Sequence, residues 1–538
     1  MSLYLNSIKP FALYRKAANS PYFVDKSALL RDLFPLIAAD SNYVCITRPR
    51  RFGKTVMANM IASYFSKGAD SHTVFDHLEI AKDRQYQDHL NHYNVINIDF
   101  SVIDDSCHDY DLYISNIKRI LTEDLQESFP ECQDAFEKSR NLVEYMERIY
   151  TQTGESFIFV LDEWDAVFHM PFMSTQDTSS YLRFLKFLLK DKVYVSLVYM
   201  TGILPIAKYS SGSELNMFTE YTMVNQNKFS EYFGFTDSEV DMLYQRYLDN
   251  QSTTAVSREG LCLWYDGYHT ASGVQVYNPR SIVLALSNNQ LSSYWTSSGP
   301  YDEIFYYVKN NIADVRDDLA LLVADEPVSS KIEEYASVSM ELKTKSQIFS
   351  AMVVYGFLTY DDGKLYIPNK ELMDQFVKML QEEESLGYVY KLAKASDKML
   401  SATLHGDTAT MVDILSYAHN TEVPLLSYNH EVELTAIVNL VYLSARDRYF
   451  VERENKAGTG FVDFIFYPYK KGDDCIILEL KINHSPEEAL QQIKEKNYAL
   501  RFKGNLGEDA PYTGRILAVG IGYSKKSKKH SCIVEQLE

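Results

Sequence analysis

One short segment constrains this chain more than any other. Residues 43–55 read Tyr43-Val44-Cys45-Ile46-Thr47-Arg48-Pro49-Arg50-Arg51-Phe52-Gly53-Lys54-Thr55. The apolar run Tyr43 to Ile46 predicts a β-strand, and a turn follows that ends in Gly53-Lys54-Thr55. Val56, Met57, Met60, Ile61, Tyr64 and Phe65 then recur at helical spacing on one face, with Gly68 as the stop. Strand, loop and helix in this order suit a phosphate-binding loop, in which helix-start N–H groups and the helix dipole hold phosphate oxygens. The loop candidates are Arg48, Pro49, Arg50, Arg51, Phe52, Gly53, Lys54 and Thr55. Lys54 is expected to reach the β- and γ-phosphates of ATP, and the Thr55 hydroxyl to bind Mg²⁺. The usual pattern has Gly where Arg48 stands. A bare Gly-Lys-Thr also occurs in ordinary strand-to-helix turns. Arg48, Arg50 and Arg51 add positive charge that either touches phosphate or shapes the turn.

A second segment fits the same chemistry. Phe157-Ile158-Phe159-Val160-Leu161 is a wholly apolar strand that ends in Asp162-Glu163. A carboxylate at the tip of a buried strand is where phosphoryl-transfer sites of this kind hold Mg²⁺. That role goes to Asp162. Glu163 is the expected base that orients and deprotonates water. A third strand, Val193 to Met200, ends in Thr201-Gly202. Thr201 is either a sensor of the γ-phosphate or part of a plain strand-end turn.

A chain of 538 residues has room for about three domains. The expected fold class is α/β. A P-loop domain with a parallel sheet covered by helices on both faces takes 1–232, and a mainly helical lid or linker domain takes 233–400. A C-terminal α/β domain takes 401–538. Within the middle region Asn278 should cap a helix that starts at Pro279. Asp361-Asp362-Gly363 should turn a hairpin. The six cysteines show no paired or zinc spacing, and no apolar run approaches a membrane span, so a reducing cytoplasm is the expected setting. A net charge of −20 argues against passive coating of nucleic acid, although the C-terminal segment is locally basic at Lys525, Lys526, Lys528 and Lys529 among others.

That C-terminal segment holds a second constellation. Gly460 to Phe466 and Cys475 to Lys481 read as a β-hairpin, with Asp463 on the first strand and Glu479-Leu480-Lys481 on the second. Alternation puts Glu479 and Lys481 on one face, and the hairpin brings Asp463 beside them. Two carboxylates and a lysine can hold Mg²⁺ or Mn²⁺ and activate water against a phosphodiester. Glu431, on an upstream helix, is a weaker further ligand, and Gln492 is read as starting a downstream helix that orients substrate or lysine. A surface hairpin with a Glu–Lys cross-strand pair has the same sequence signature.

The whole chain resembles a bacterial family, frequent in gut anaerobes, with an AAA-ATPase-like N-terminal domain and a PD-(D/E)XK nuclease superfamily domain at the C-terminus. The carrying residues are Tyr22-Phe23-Val24-Asp25-Lys26-Ser27, Arg48 to Thr55, Leu161-Asp162-Glu163-Trp164-Asp165, Thr201-Gly202-Ile203-Leu204, Trp264 to Tyr268, Tyr277 to Ile282, Asp463, and Glu479-Leu480-Lys481. Arg in place of the first loop Gly is usual in that family. Trp164 replaces a usual Tyr, and Leu434-Thr435 stands where the family has Tyr-His. The resemblance implies ATP as cofactor, Mg²⁺ or Mn²⁺ at the nuclease site, and nucleic acid as a partner. Two functions follow: an ATPase joined to a metal-dependent nuclease, in defence or mobile-element biology, or a nucleotide-regulated module that binds nucleic acid or protein without cutting. Oligomerisation is open under both.

Overall fold

The computed structural model describes residues 2–105, 107–206, 214–224, 226–251, 253–295, 312–332, 342, 344–420, 431–457, 460–470, 472–496 and 514–537. The chain forms two compact units. One comprises Met1–Ile304, Ser330–Lys364 and Pro368–Glu371, and the other Phe305–Ser329, Leu365–Ile367 and Leu372–Glu538. The stretch 233–400 therefore contributes to both.

The first unit is built on five parallel strands: β1 (Tyr43–Thr47), β2 (Asn94–Asp99), β3 (Phe157–Asp162), β4 (Val195–Gly202) and β5 (Thr219–Tyr221). Their order is β2-β3-β4-β1-β5. Every residue of β3 and β4 is buried, as a parallel sheet covered on both faces requires. β4 starts two residues later than its apolar run suggests, because Val193 is exposed in the preceding turn. Helix α1 (Lys54–Phe65) covers one face. Met57, Met60, Ile61, Tyr64 and Phe65 enter the core with Val95, Ile158, Val160 and Leu197. Val56, expected on the same face, is exposed instead. Helices α2 (Tyr110–Ser128) and α3 (Thr175–Leu189) make the β2-to-β3 and β3-to-β4 crossovers. Asp109 caps α2 through Leu112 N, and a Ser174/Asp177 capping box starts α3.

The chain leaves β1 for the far edge of the sheet, returns through β3 and β4, and then passes over β1 to β5. Such a reversal of direction opens a crevice at the carboxyl ends of the strands, where ligands of open α/β sheets bind. Helix α4 (Pro279–Asn288) begins as its sequence predicts, with Asn278 Oδ1 accepting from Arg280 N and Ser281 N. Asp362 and Gly363 both take positive φ between strands at Thr359–Asp361 and Lys364–Tyr366.

Apart from short strand pieces at Val328–Ser329 and 365–366, the described residues of the second unit are mainly helical up to helix α5 (Glu431–Val441), and a mixed sheet follows. Its strands are β6 (Tyr449–Ala457), β7 (Gly460–Pro468), β8 (Cys475–Ile482), β9 (Ile516–Ser524) and β10 (Lys529–Leu537), paired in sequence order. Only β8 and β9 run parallel, and helix α6 (Pro486–Glu495) is part of the connection between them. The turn into α6 lies so close to β9 that a Cβ on Gly520 would sit 2.2 Å from Pro486 O and one on Gly522 2.9 Å from His484 O. Among the described residues no cysteine is in a disulfide, and no helix is long and apolar enough to cross a membrane.

Candidate functional site

The phosphate-loop segment folds as its sequence predicts. Gly53 takes φ 88°, a left-handed conformation that glycine adopts at little cost, and the helix starts at Lys54. The loop apex packs on residues from later in the same unit. The Phe52 ring meets Tyr268 edge-on at 5.0 Å, Tyr268 donates its hydroxyl to Gly356 O (3.1 Å), and Gly356 abuts Pro49, whose Cβ lies 2.7 Å from where a Gly356 Cβ would stand.

A cavity of about 490 Å³ opens beside the loop, within the usual range for small-molecule sites. Arg51, Gly53, Lys54, Thr55 and Glu163 line its polar end. Tyr14, Tyr22, Phe23, Val24, Phe235 and Val283 line an apolar end. Lys54 is buried, and its ammonium donates to Arg48 O (3.2 Å) and Pro49 O (3.1 Å). Asp162, 3% exposed, sits at the end of β3. Burial pushes its carboxyl up to about 7, the Glu163 charge adds to this, and a hydrogen bond from the Thr55 hydroxyl works against it. Glu163 has a left-handed backbone (φ 50°), and its carboxyl is also raised, chiefly by burial, with Lys54 and Arg50 opposing. A buried carboxylate touching the P-loop hydroxyl fits a divalent cation. Among the described residues no cluster of three metal-ligating side chains exists, so phosphate oxygens and water would complete the shell, as Mg²⁺ favours.

Two loop and strand candidates, Arg48 and Thr201, lie away from the cavity. Arg48, 1% exposed, turns into the core: its guanidinium donates to Thr47 O and Tyr221 O (both 2.8 Å) and lies 5.1 Å over the Phe233 ring. Burial lowers it to about 10. These contacts give it a part in shaping the turn. Arg51, at φ 69°, donates to Tyr294 O while still lining the cavity. Thr201 is wholly buried, level with Ile46 of β1, and does not line the cavity.

The cavity also holds residues to which sequence reasoning gave no role. Lys26 lines it and donates to Glu231 O and Glu239 (both 2.7 Å). Arg280, at the start of α4, lines it too. The neighbouring Ser281 donates to Glu371, a buried carboxylate that also accepts from Tyr294 N and Trp295 N. Asp25-Lys26 and Pro279-Arg280 were visible as motif segments, whereas Glu371 carried no local signal. Asp165 accepts from Ile203 N and Leu204 N and so fixes the exit of β4.

In the second unit, β7 and β8 form the expected antiparallel hairpin, with Phe464 level with Leu478. Lys481 donates to Glu479 Oε1 at 2.9 Å, so both side chains share a face. Glu479 is 2% exposed, and Oε2 has no hydrogen-bond partner. Burial raises its carboxyl, while Lys481 and the Asp463 backbone amide pull it down. Gln492 donates to the same Oε1, from the last turn of α6 and not from its start. Asp463 Oδ2 accepts from Leu480 N at 2.6 Å, which places this carboxylate at the same level of β8. The orphaned, buried oxygen of Glu479 is an acceptor that a cation would satisfy. Glu431 opens α5, but its side chain lies outside the described residues, as do Lys471, Arg501 and Lys503.

Comparison with known proteins agrees with the two domains. Residues 8–211 match a family model described as a predicted AAA-ATPase, and residues 434–530 match the PD-(D/E)XK nuclease superfamily. A curated relative, an uncharacterized protein in the vnfD 5′ region of Azotobacter chroococcum mcd 1, is 26% identical over 302 residues. The match covers 54% of this chain and 53% of the relative, so the chain spans about half the length of the curated relative it matches. Similar solved structures include a Walker-type ATPase of Pyrococcus abyssi (12% identity, TM-score 0.31, 65% of this chain and 94% of that one) and the ORC2 protein of Aeropyrum pernix (12%, 0.31, 66% and 93%). At these scores the fold rests on the strand order itself. The chain carries an AAA-ATPase-like domain followed by a domain of the PD-(D/E)XK nuclease superfamily.

Proposed function

We propose that this protein binds and hydrolyses ATP at the first site and cleaves phosphodiesters at the second. The observation that carries the first half is the single cavity in which Lys54, Thr55 and Glu163 meet beside an apolar arm. The apolar end suits the base, and Lys54 the β- and γ-phosphates. Thr55 and Asp162 would hold Mg²⁺, which supplies charge neutralisation on the phosphates. Glu163 would orient the attacking water and take its proton, a task for which a carboxyl raised by burial is a stronger base. Thr201, buried at the end of β4, stays the proposed γ-phosphate sensor. Glu163→Gln tests the assignment: the variant should bind ATP yet hydrolyse it about 100-fold more slowly or worse. Hydrolysis at the parental rate would remove Glu163 from the role.

At the second site Asp463 and Glu479 would hold Mg²⁺ or Mn²⁺, which supplies Lewis acidity. Lys481 would place the water or stabilise charge on the phosphate, and Gln492 would fix Glu479. A cytoplasmic setting and a role in defence or mobile-element biology accompany this reading. One observation favours the alternative of a nucleotide-regulated binding module: the Asp463 carboxylate is already engaged by Leu480 N, and Glu479 by Lys481 and Gln492. Cleavage assays with Mg²⁺ or Mn²⁺ on DNA and RNA, with and without ATP, separate the two.

A further inference from the structure

We propose that the lysine-rich tip of the β9–β10 hairpin is a phosphate-backbone binding site that seats nucleic acid on the Glu479–Lys481 cluster; the inference rests on reading that cluster as a nuclease site.

The tip is Lys525-Lys526-Ser527-Lys528-Lys529, with every residue exposed. Among the described residues Lys526, Lys528 and Lys529 have no carboxylate partner, whereas Lys494 pairs with Glu535 and Arg515 with Asp474. Among the described residues Lys494 and Arg515 are thus compensated, while Lys526, Lys528 and Lys529 at one end of the sheet are not.

That end is the one to which β8 delivers its chemistry. β8 and β9 run parallel, with Glu479 level with Gly520, Lys481 with Gly522 and Ile482 with Tyr523. The tip is tied directly to the end of β8. Asn483 donates its backbone N–H to Tyr523 O (2.7 Å), and its side-chain Oδ1 accepts from Lys525 N (2.9 Å). The turn is closed by Lys528 N donating to Ser524 O (2.8 Å), with Lys528 in the left-handed region at φ 55°. This is a built turn, anchored to the strand that carries the candidate catalytic residues.

The spacing suits a polyanion. Asn483 lies four residues after Glu479, about 13 Å along a strand. That is about four base-pair steps of a duplex, so lysines at the tip would meet phosphates a few nucleotides from the bond facing Glu479. Lysines act on phosphate as point charges and position a strand without reading its sequence. On a chain of net charge −20, the exposed and unpaired Lys526, Lys528 and Lys529 offer a polyanion a local patch of positive charge.

The test uses the full chain and a variant with Lys525→Gln, Lys526→Gln, Lys528→Gln and Lys529→Gln. Binding to a labelled DNA duplex and a labelled single strand of about 20 nucleotides is measured across a salt series. Each phosphate contact contributes about 0.9 to the slope of log K against log salt on duplex and about 0.7 on single strand. The variant should lose about 2 to 4 from that slope and bind at least about 10-fold more weakly at moderate salt. Lys470→Gln, an exposed lysine before the opposite end of β8, should leave the slope unchanged. An unchanged slope in the tip variant overturns the proposal. So does tip-dependent binding to phosphatidylglycerol vesicles with nucleic-acid binding intact, or an acidic peptide displaced by the tip variant while the duplex is not. Cleavage by a tip variant with parental salt dependence removes the tip and leaves the nuclease reading standing. Tip-dependent binding without any cleavage by the parent supports the tip and removes the nuclease chemistry.

Discussion

Asp162→Asn offers the most demanding check of the first site, because it should strengthen the free protein and weaken the loaded one. The Asp162 carboxyl is buried at the end of β3 and pushed up to about 7 from an ordinary value of 3.8. A gap of about 3 units corresponds to about 4 kcal/mol of unfavourable ionisation. The sign follows from proton binding: the folded protein holds this proton more tightly than the unfolded chain does. Its cost is therefore absent below about pH 3.8, grows as pH rises to about 7 and is constant above that. Asparagine carries no charge to bury, but its NH₂ group needs partners at a cost of about 1–2 kcal/mol. At about pH 8, without Mg²⁺ or nucleotide, Asp162→Asn should therefore be about 2 kcal/mol more stable than the parent, and the advantage should vanish near pH 5. Urea unfolding over a pH series, followed on the transition that MgATP shifts, measures this. Adding MgATP should reverse the order, since Asp162 would then hold the cation. Parallel pH profiles for parent and variant would refute the reasoning.

Other outcomes follow from the same geometry. Lys54→Ala should abolish measurable ATP binding by calorimetry in a protein with parental circular dichroism; unchanged affinity removes the phosphate-loop assignment. Arg48→Met should leave its carbonyl partners unsatisfied and lower stability by about 1–3 kcal/mol, while ATP affinity of the folded protein stays within about threefold of the parent. A selective loss of ATP affinity would show that Arg48 reaches the nucleotide after all. Lys481→Ala and Asp463→Ala should each remove cleavage in a gel assay and leave ATP turnover near the parental rate. Residual cleavage in both would dismiss the second site.

Legibility in the sequence followed the range of the interaction. The strands carrying Ile46, Leu161 and Leu478 declare themselves as unbroken apolar runs, because both faces of those sheets are covered. Asn278 and Pro279 mark a helix start through local hydrogen bonding alone. Glu479 and Lys481 share a face because alternation is a local property of a strand. Arg48 was not legible in this way. Its charge suggests phosphate, but its partners Tyr221 and Phe229 lie far along the chain, and they turn it inward. Glu371 is the extreme case: it gathers Ser281, Tyr294 and Trp295 from about 80 residues upstream, and nothing next to it in sequence announces a buried carboxylate. Gln492 was placed on the right helix, but its distance from the Ser485 cap, and so its place in the last turn, depended on where that cap falls.

The packing of Pro49 and Phe52 against Tyr268 and Gly356 bears on how separable the parts of this protein are. A fragment ending at residue 232 would retain all five parallel strands and Lys54, yet it would lack the surface against which the loop apex is moulded. The shape of this loop is thus jointly owned by stretches some 200 to 300 residues apart in the chain. Sequence drift or insertions near Tyr268 and Gly356 would be felt at the loop without touching any of its residues. Evolution could thereby retune the nucleotide site from a region that carries no motif of its own.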